Sequence, residues 1–272
     1  MRLSAYAPVK NEADFIGYSI MDSLEHMHEF IYACAKSTDG TDELLDYIKQ
    51  KYAGDKLVIL RKPEYDFNPH NQIAYNQAFN DCIEKASGEA VYFKHPDMLI
   101  KNAEAISSIP SGALAYWTNL TSYAGDFSTK ITRGRATRWK NVCMKKFGLT
   151  YYGAYGSWNE DMFFKDITGD SYLHHGEDFR AYPYKVMDSG LNVSHFCELK
   201  DYKRRFEKMK LCMKTLYPTW NERDIEHAAS LHPRVTLEER LGQGFEFTKT
   251  DEAVPAVIEK YKSEFDKVLG RS

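Results

Sequence analysis

Between residues 2 and 93 the chain alternates short apolar runs with amphipathic segments, and no other feature restricts the possible folds as much. Residues 2–9, R-L-S-A-Y-A-P-V, partly alternate and reach Pro8, which predicts a first strand running into a loop. Asn11 and Glu12 lead into Phe15, Ile16, Ile20, Met21 and Leu24, apolar at helical spacing, and F-I-Y-A-C-A reads as a second strand. Ser37 to Thr41 form a turn from which Asp39 or Thr41 can cap the helix D-E-L-L-D-Y-I-K-Q-K-Y, ended by Gly54. K-L-V-I-L then predicts a third strand. Residues 71–86 carry Ile73, Ala74, Ala78, Phe79, Cys82 and Ile83 on one helical face, and the strand A-V-Y-F follows Gly88. Such β-α-β alternation calls for an α/β fold with a mostly parallel sheet flanked by helices. Ligands of such sheets sit beyond the carboxyl ends of the strands, so the connecting loops there are where chemistry is expected.

Beyond about residue 105 the pattern loosens. A-L-A-Y-W-T-N-L predicts a further strand, residues 177–189 a helix interrupted at Pro183, L-N-V-S-H-F a short strand, and the chain from 199 onward helices broken near Pro218 and Pro233. A hydrophobic fraction of 43% fits an ordered globule rather than a disordered chain. The net charge of -3 excludes a polycation built to coat nucleic acid, although residues 130–146 hold Lys130, Arg133, Arg135, Arg138, Lys140, Lys145 and Lys146 without an acid. A second basic run covers 200–210. The 5 cysteines, an odd number without C-x-x-C spacing, read as reduced thiols. No apolar run reaches the roughly 18 to 20 residues of a membrane span, so the expectation is a cytoplasmic protein without a transmembrane segment.

Two loops and one strand end hold the candidate chemistry. F-K-H-P-D-M places His95 and Asp97 two residues apart after the fourth strand, so both can point one way. Together they could hold Mn²⁺ or Mg²⁺ bridging the phosphates of a nucleoside diphosphate, or form a proline-containing turn with a capping Asp. H-H-G-E-D-F, residues 174–179, concentrates acids, of which Glu177 or Asp178 could act as a general base or simply open a helix. His195, closing L-N-V-S-H-F, is either a further metal ligand or a structural histidine.

The order of these motifs resembles the family-two-like glycosyltransferases of GT-A fold over approximately residues 3–196. The first strand with A-P-V-K-N-E, the turn S-T-D-G-T, the helix A-F-N-D-C-I-E-K-A-S-G-E with Cys82 in place of a glycine, H-P-D in place of the D-x-D metal motif, and G-E-D carry the resemblance. It implies that Ala7, Pro8, Val9, Lys10, Asn11, Glu12, Asp39, Asn71 or Asn76, His95 and Pro96 bind a nucleotide-sugar. It further implies that Asp97, with His195 and His95, binds the metal, and that Asp178, beside Glu177, is the base of an inverting transfer. His95 stands where the family has its first acid, and Cys34 and Ala35 stand where UDP-using members often have an acid that reads uracil. With no apolar run long enough to span a membrane, transfer of a single sugar is expected rather than processive polymerisation.

The resemblance divides the chain into a nucleotide-sugar-binding half at 1–105, an acceptor and catalytic half at 106–198 and a C-terminal helical extension at 199–272. A UDP-sugar is the expected donor. The acceptor is a glycan, a lipid or another hydroxyl, with Trp117, Tyr151, Tyr152, Tyr155 and Trp158 available for stacking. A nucleic-acid acceptor reached through 130–146, including a modified DNA base, is one alternative. A catalytically inactive nucleotide-sugar or glycan-binding module of the same fold is the other.

Overall fold

The structure, a computed structural model, describes residues 1–67, 72–113, 115–133, 137–144, 150–153, 162–165, 172–174, 186–199, 206, 210, 219–231 and 246–271. Its strands are β1 (Leu3–Val9), β2 (Glu29–Cys34), β3 (Leu57–Leu60), β4 (Ala90–Phe93), β5 (Met98–Ile100), β6 (Ala115–Ala124), β7 (Thr129–Arg133), β8 (Arg138–Met144), β9 (Thr150–Gly153), β10 (Met162–Lys165), β11 (Tyr172–His174), β12 (Val186–Glu198) and β13 (Glu246–Lys249). The helices are α1 (Ile16–Met21), α2 (Thr41–Ile48), α3 (Gln72–Lys85), α4 (Glu222–Leu231) and α5 (Ala256–Val268). Among the described residues no helix is long and apolar enough to cross a membrane.

The main sheet runs in the order β13-β7-β6-β8-β4-β1-β2-β3, and β12 joins it against both β5 and β6. From β4 to β3 every pairing is parallel, as the β-α-β alternation requires. Antiparallel β8 continues the sheet beyond β4. The chain steps from β1 outward to β2 and β3, then returns to lay β4 on the other side of β1. Strand order therefore reverses between β1 and β4, where an α/β sheet opens a crevice at its carboxyl edge.

Pro8 helps to open that crevice. The sequence predicts a strand reaching it, and β1 continues one residue further, with Pro8 opposite Ala33 and Val9 opposite Cys34. The β1–β4 register stops at Tyr6 opposite Phe93, and the Tyr6 carbonyl accepts the Lys94 N–H at 3.2 Å. Alternate residues of a strand address alternate neighbours, so the N–H that Pro8 lacks belongs to the side from which β4 has already departed.

Two sequence expectations change. Residues 186–189, expected to be helical, open strand β12, because Leu191 and Val193 are buried, Gly190 and Asn192 are exposed, and the segment pairs with β6. An irregularity between Asp188 and Asn192, where Asp188 Oδ1 accepts the Gly190 N–H at 2.8 Å, hides the strand's alternation from a local reading. The second change is at α2, whose N-cap is Gly40 rather than Asp39 or Thr41. Gly40 has φ +92°, so its backbone favours glycine, and a Cβ there would lie 2.5 Å from the end of the Leu269 side chain, which would have to move.

The segment beyond 199 contributes more than helices. Strand β13 adds to the sheet against β7, and α5 lies on α1 and α2. Phe265, fully buried, approaches so close that a Cβ on Gly17 would stand 2.7 Å from its ring. Tyr18 and Tyr261 pack on the same ring at centroid distances of 5.3 and 5.5 Å. Tyr47 and Tyr52 both donate to Glu264 Oε1, at 2.8 and 2.6 Å.

On the opposite flank Glu252 accepts from Lys101, Lys130 and Tyr123, and Lys249 pairs with Asp126. Burial acts to raise the Glu252 carboxyl, but the hydrogen bonds from Lys130, Tyr123 and Lys101 outweigh it and hold the group down at about 2.

Phe265→Ala should cost about 3 to 5 kcal/mol in urea denaturation, through lost burial and the cavity left between α1 and α5. Glu252 sits below its ordinary value when folded, so its stabilisation is complete above 4.5 and is lost as pH falls toward about 2. Glu252→Gln should flatten the fall in melting temperature across that window.

Candidate active site

The first two loops at the carboxyl edge are tied together through Asp39. Its Oδ2 accepts the Ala13 N–H at 3.0 Å, while Oδ1 accepts the Thr41 N–H at 3.1 Å and the Thr41 hydroxyl. Thr41 Oγ1 in turn accepts the Glu12 N–H at 2.8 Å. Asn11, with φ +56°, turns its side-chain oxygen to the Thr38 N–H at 2.8 Å, and its own N–H reaches Ser37 Oγ at 3.1 Å. The motifs K-N-E and S-T-D-G-T thus form one hydrogen-bonded rim beside the ends of β1 and β2. Ala7, Pro8 and Val9 are the last three residues of β1. Asn76 is half-buried in the first half of α3, the half nearer this edge.

Cys34 ends β2 with its side chain buried. Burial pushes its thiol up to about 12, so it is neutral and offers no carboxylate-like acceptor at this corner. Nearby, Arg61 at the end of β3 is bound by Asp46 at 3.0 Å and Asp42 at 3.4 Å.

Across the crevice, β4 leads into His95-Pro96-Asp97 and then directly into β5. The Met98 N–H closes this turn on the His95 carbonyl at 3.0 Å. Strand β12 lies antiparallel to β5 with His195 opposite Met98, and its Phe196 N–H binds the Asp97 carbonyl at 3.0 Å. That register brings His195 Nε2 to 3.5 Å from Asp97 Oδ1, with both side chains under one tenth exposed. His95 is half-buried, 4.3 Å from the Phe93 ring and 6.1 Å from His195, measured between centroids. Trp139 of β8 stands 5.3 Å from each histidine ring, an aromatic wall that the sequence reading did not single out.

Beneath the loop lies a second group missed from sequence. Lys94, fully buried, donates to Ser19 Oγ at 2.6 Å, to the Ser19 carbonyl, to the Met98 carbonyl at 3.0 Å and to Asp22 Oδ1 at 3.1 Å. Asp22 Oδ2 also accepts the Ile100 N–H. Burial is the largest influence on both partners, lowering the ammonium of Lys94 and raising the carboxyl of Asp22, and their mutual attraction opposes it. A lysine closing the otherwise apolar run A-V-Y-F-K was the available sequence signal.

Two ligand atoms held at about 2.0 to 2.2 Å from one ion stand roughly 3 to 4 Å apart, so the Asp97–His195 separation fits a shared divalent cation. Among the described residues no group of three or more His, Cys, Asp or Glu side chains is gathered for a metal. Two protein ligands suffice for an ion that takes its remaining oxygens from phosphate and water. Glu177 and Asp178 lie outside the described residues, as do Asn71, Tyr155 and Trp158. Within the basic stretch, Lys130 is bound by Glu252, and Arg138 pairs with Asp188 at 2.5 Å while standing 5.6 Å from the Trp117 ring. Cys34, Cys82 and Cys143 are buried free thiols.

No protein-family model and no curated protein matches the chain. Solved structures similar to it include S. aureus TarS 1–349 in complex with UDP, with TM-score 0.40 and 13% identity, covering 98% of this chain and 83% of that one. The mannosyltransferase PcManGT from Pyrobaculum calidifontis in complex with GDP-Man and Mn²⁺ gives 0.42 and 11%, covering 99% and 83%. GalNAc-T7 with UDP, GalNAc and Mn²⁺ gives 0.38 and 9%, covering 98% and 57%. At these scores and identities the likeness adds nothing to what the chain's own topology establishes.

Asp39→Ala removes three donors' partner at once, and should cost about 2 to 3 kcal/mol in urea denaturation, since hydrogen bonds to a charged acceptor are the stronger kind. Asp39→Asn should retain part of this, because one amide oxygen remains to accept.

Proposed function

We propose that the chain is a glycosyltransferase of the GT-A kind, transferring a single sugar from a nucleotide-sugar to a hydroxyl acceptor. The observation that carries the reading is the meeting of Asp97 and His195, 3.5 Å apart, at the carboxyl edge where strand order reverses. A crevice at such a reversal is where an α/β sheet takes a ligand, and a carboxylate beside an imidazole is a donor set for Mn²⁺ or Mg²⁺. The resemblance of A-P-V-K-N-E, S-T-D-G-T, H-P-D and G-E-D to the family motifs, in that order, supports the same assignment.

In this reading the rim of Lys10, Asn11, Glu12 and Asp39, with Asn76, Ala7, Pro8 and Val9, shapes the nucleotide pocket. His95 and Pro96 border the diphosphate, and Asp97 and His195 hold the cation. When bound there, the cation supplies positive charge against the departing diphosphate. Asp178, with Glu177 beside it, takes the proton of the acceptor hydroxyl as that oxygen attacks the anomeric carbon from the face opposite the leaving group. The acceptor is a glycan, a lipid or another hydroxyl compound. Lys130 and Arg138 already hold acidic partners, which leaves less free charge in 130–146 for a nucleic-acid acceptor. Uridine follows from the family resemblance alone, since the neutral Cys34 thiol gives uracil no carboxylate.

An inactive binding module is the second reading, favoured by His95 standing in place of the first acid of the metal motif. Melting temperature with UDP, GDP, CMP and UDP-sugars, with and without Mn²⁺, separates the two when combined with a sugar-release assay. One nucleotide should raise it by roughly 5 °C at a hundredfold excess over Kd. The shift should need Mn²⁺ and vanish in Asp97→Ala. Donor turnover should fall about 100-fold or more in Asp178→Asn if this carboxylate is the base. No shift with any nucleotide would sink the enzyme and favour a glycan-binding module, whereas a shift without turnover would leave a nucleotide-sugar-binding module.

A further inference from the structure

We infer that Lys94, Asp22 and Ser19 are positioning residues that clamp the H-P-D loop from beneath, setting the Asp97 carboxylate against His195; this rests on the reading of Asp97 as a cation ligand. The Lys94 side chain has no exposed surface, so it can meet neither nucleotide nor acceptor, and any influence on the site must pass through the loop. Its ammonium closes the loop on itself, since Lys94 opens the turn and binds the carbonyl of Met98 at its far end at 3.0 Å. The same ammonium reaches down to α1, to Ser19 Oγ at 2.6 Å and Asp22 Oδ1 at 3.1 Å. Asp22 then fixes the start of β5 through the Ile100 N–H, and Ser19 Oγ lies 3.5 Å from the His95 carbonyl. Residues 94, 95, 98 and 100 are thus all anchored to α1 or to one another, and Asp97 is carried between them.

A buried charge pair is an expensive way to fill a core, because desolvation offsets most of the attraction. An apolar side chain at the end of β4 would fill the space, but it could not bind four oxygens on two separate elements. What the pair supplies is a fixed loop geometry, as outer-shell groups do for ligand residues.

The test uses the full chain and Mn²⁺ alone, with affinity read from free Mn²⁺ by electron paramagnetic resonance. Three variants are compared with wild type: Asp97→Ala, the neutral pair Lys94→Met with Asp22→Asn, and the milder Ser19→Ala. Hydrogen–deuterium exchange at Met98 and Ile100 reports the clamp without metal. The neutral pair should fold and bind Mn²⁺ about 10- to 100-fold more weakly, the usual penalty for losing an outer-shell partner, with faster exchange at both amides. Ser19→Ala should move both readouts the same way by less, and it stands as the test if the double variant does not fold. Wild-type affinity together with wild-type exchange in a folded variant overturns the clamp. Absence of Mn²⁺ binding in wild type, in a further titration with UDP or GDP present as well, overturns the cation reading and its consequence for affinity. In that case faster exchange in the variants still supports the clamp, and unchanged exchange removes it too.

Discussion

A lysine without access to water must be surrounded by oxygen, and meeting that demand at Lys94 determines how this fold presents its candidate site. The ammonium draws on a helix-end serine, a buried aspartate and a carbonyl across the loop, so α1, the end of β4 and the start of β5 are fixed together. Removing either charge alone would leave the other buried without its counter-charge, a loss of about 3 to 5 kcal/mol. The pair is therefore a constraint on shape more than a source of stability. Its product is a short turn between two buried strands, with one carboxylate held toward β12.

The opposite wall of the crevice is built by a different route. There one carboxylate, Asp39, gathers backbone N–H groups from two loops. Behind it, α5 seals the helices that bear those loops, with Phe265 against Gly17 and Leu269 against Gly40. The last residues of the chain thus support the first loop motifs. The sheet topology brings the two walls together, because β1 has β2 on one side and β4 on the other.

How much of this could be read in the sequence follows from the range of each interaction. The strands and helices up to Phe93 are marked by local periodicity, and they form where it predicts them. Pro8 was legible as a strand end, but its part in freeing β4 from β1 depends on the register of a strand more than eighty residues away. Gly40, not Asp39, stands at the N-cap of α2, with φ +92° and the distant Leu269 packed against it, a contact that no local rule contains. His195 was legible as a strand-end histidine that could bind a metal or serve the structure, and the choice was open because its approach to Asp97 depends on the antiparallel register of β12 against β5. Ser19 carried no signal at all. Lys94 carried one, a charge in an apolar run, whose meaning needed the oxygens of α1.

The most direct measurement is a crystal structure with Mn²⁺ and a nucleoside diphosphate, using anomalous scattering at the manganese edge. An anomalous peak is expected about 2.0 to 2.2 Å from an Asp97 oxygen and His195 Nε2. The diphosphate is expected on the far side of that peak, beside the Asn11–Asp39 rim. A fully occupied nucleotide bound elsewhere, or a manganese peak away from Asp97, would contradict this arrangement.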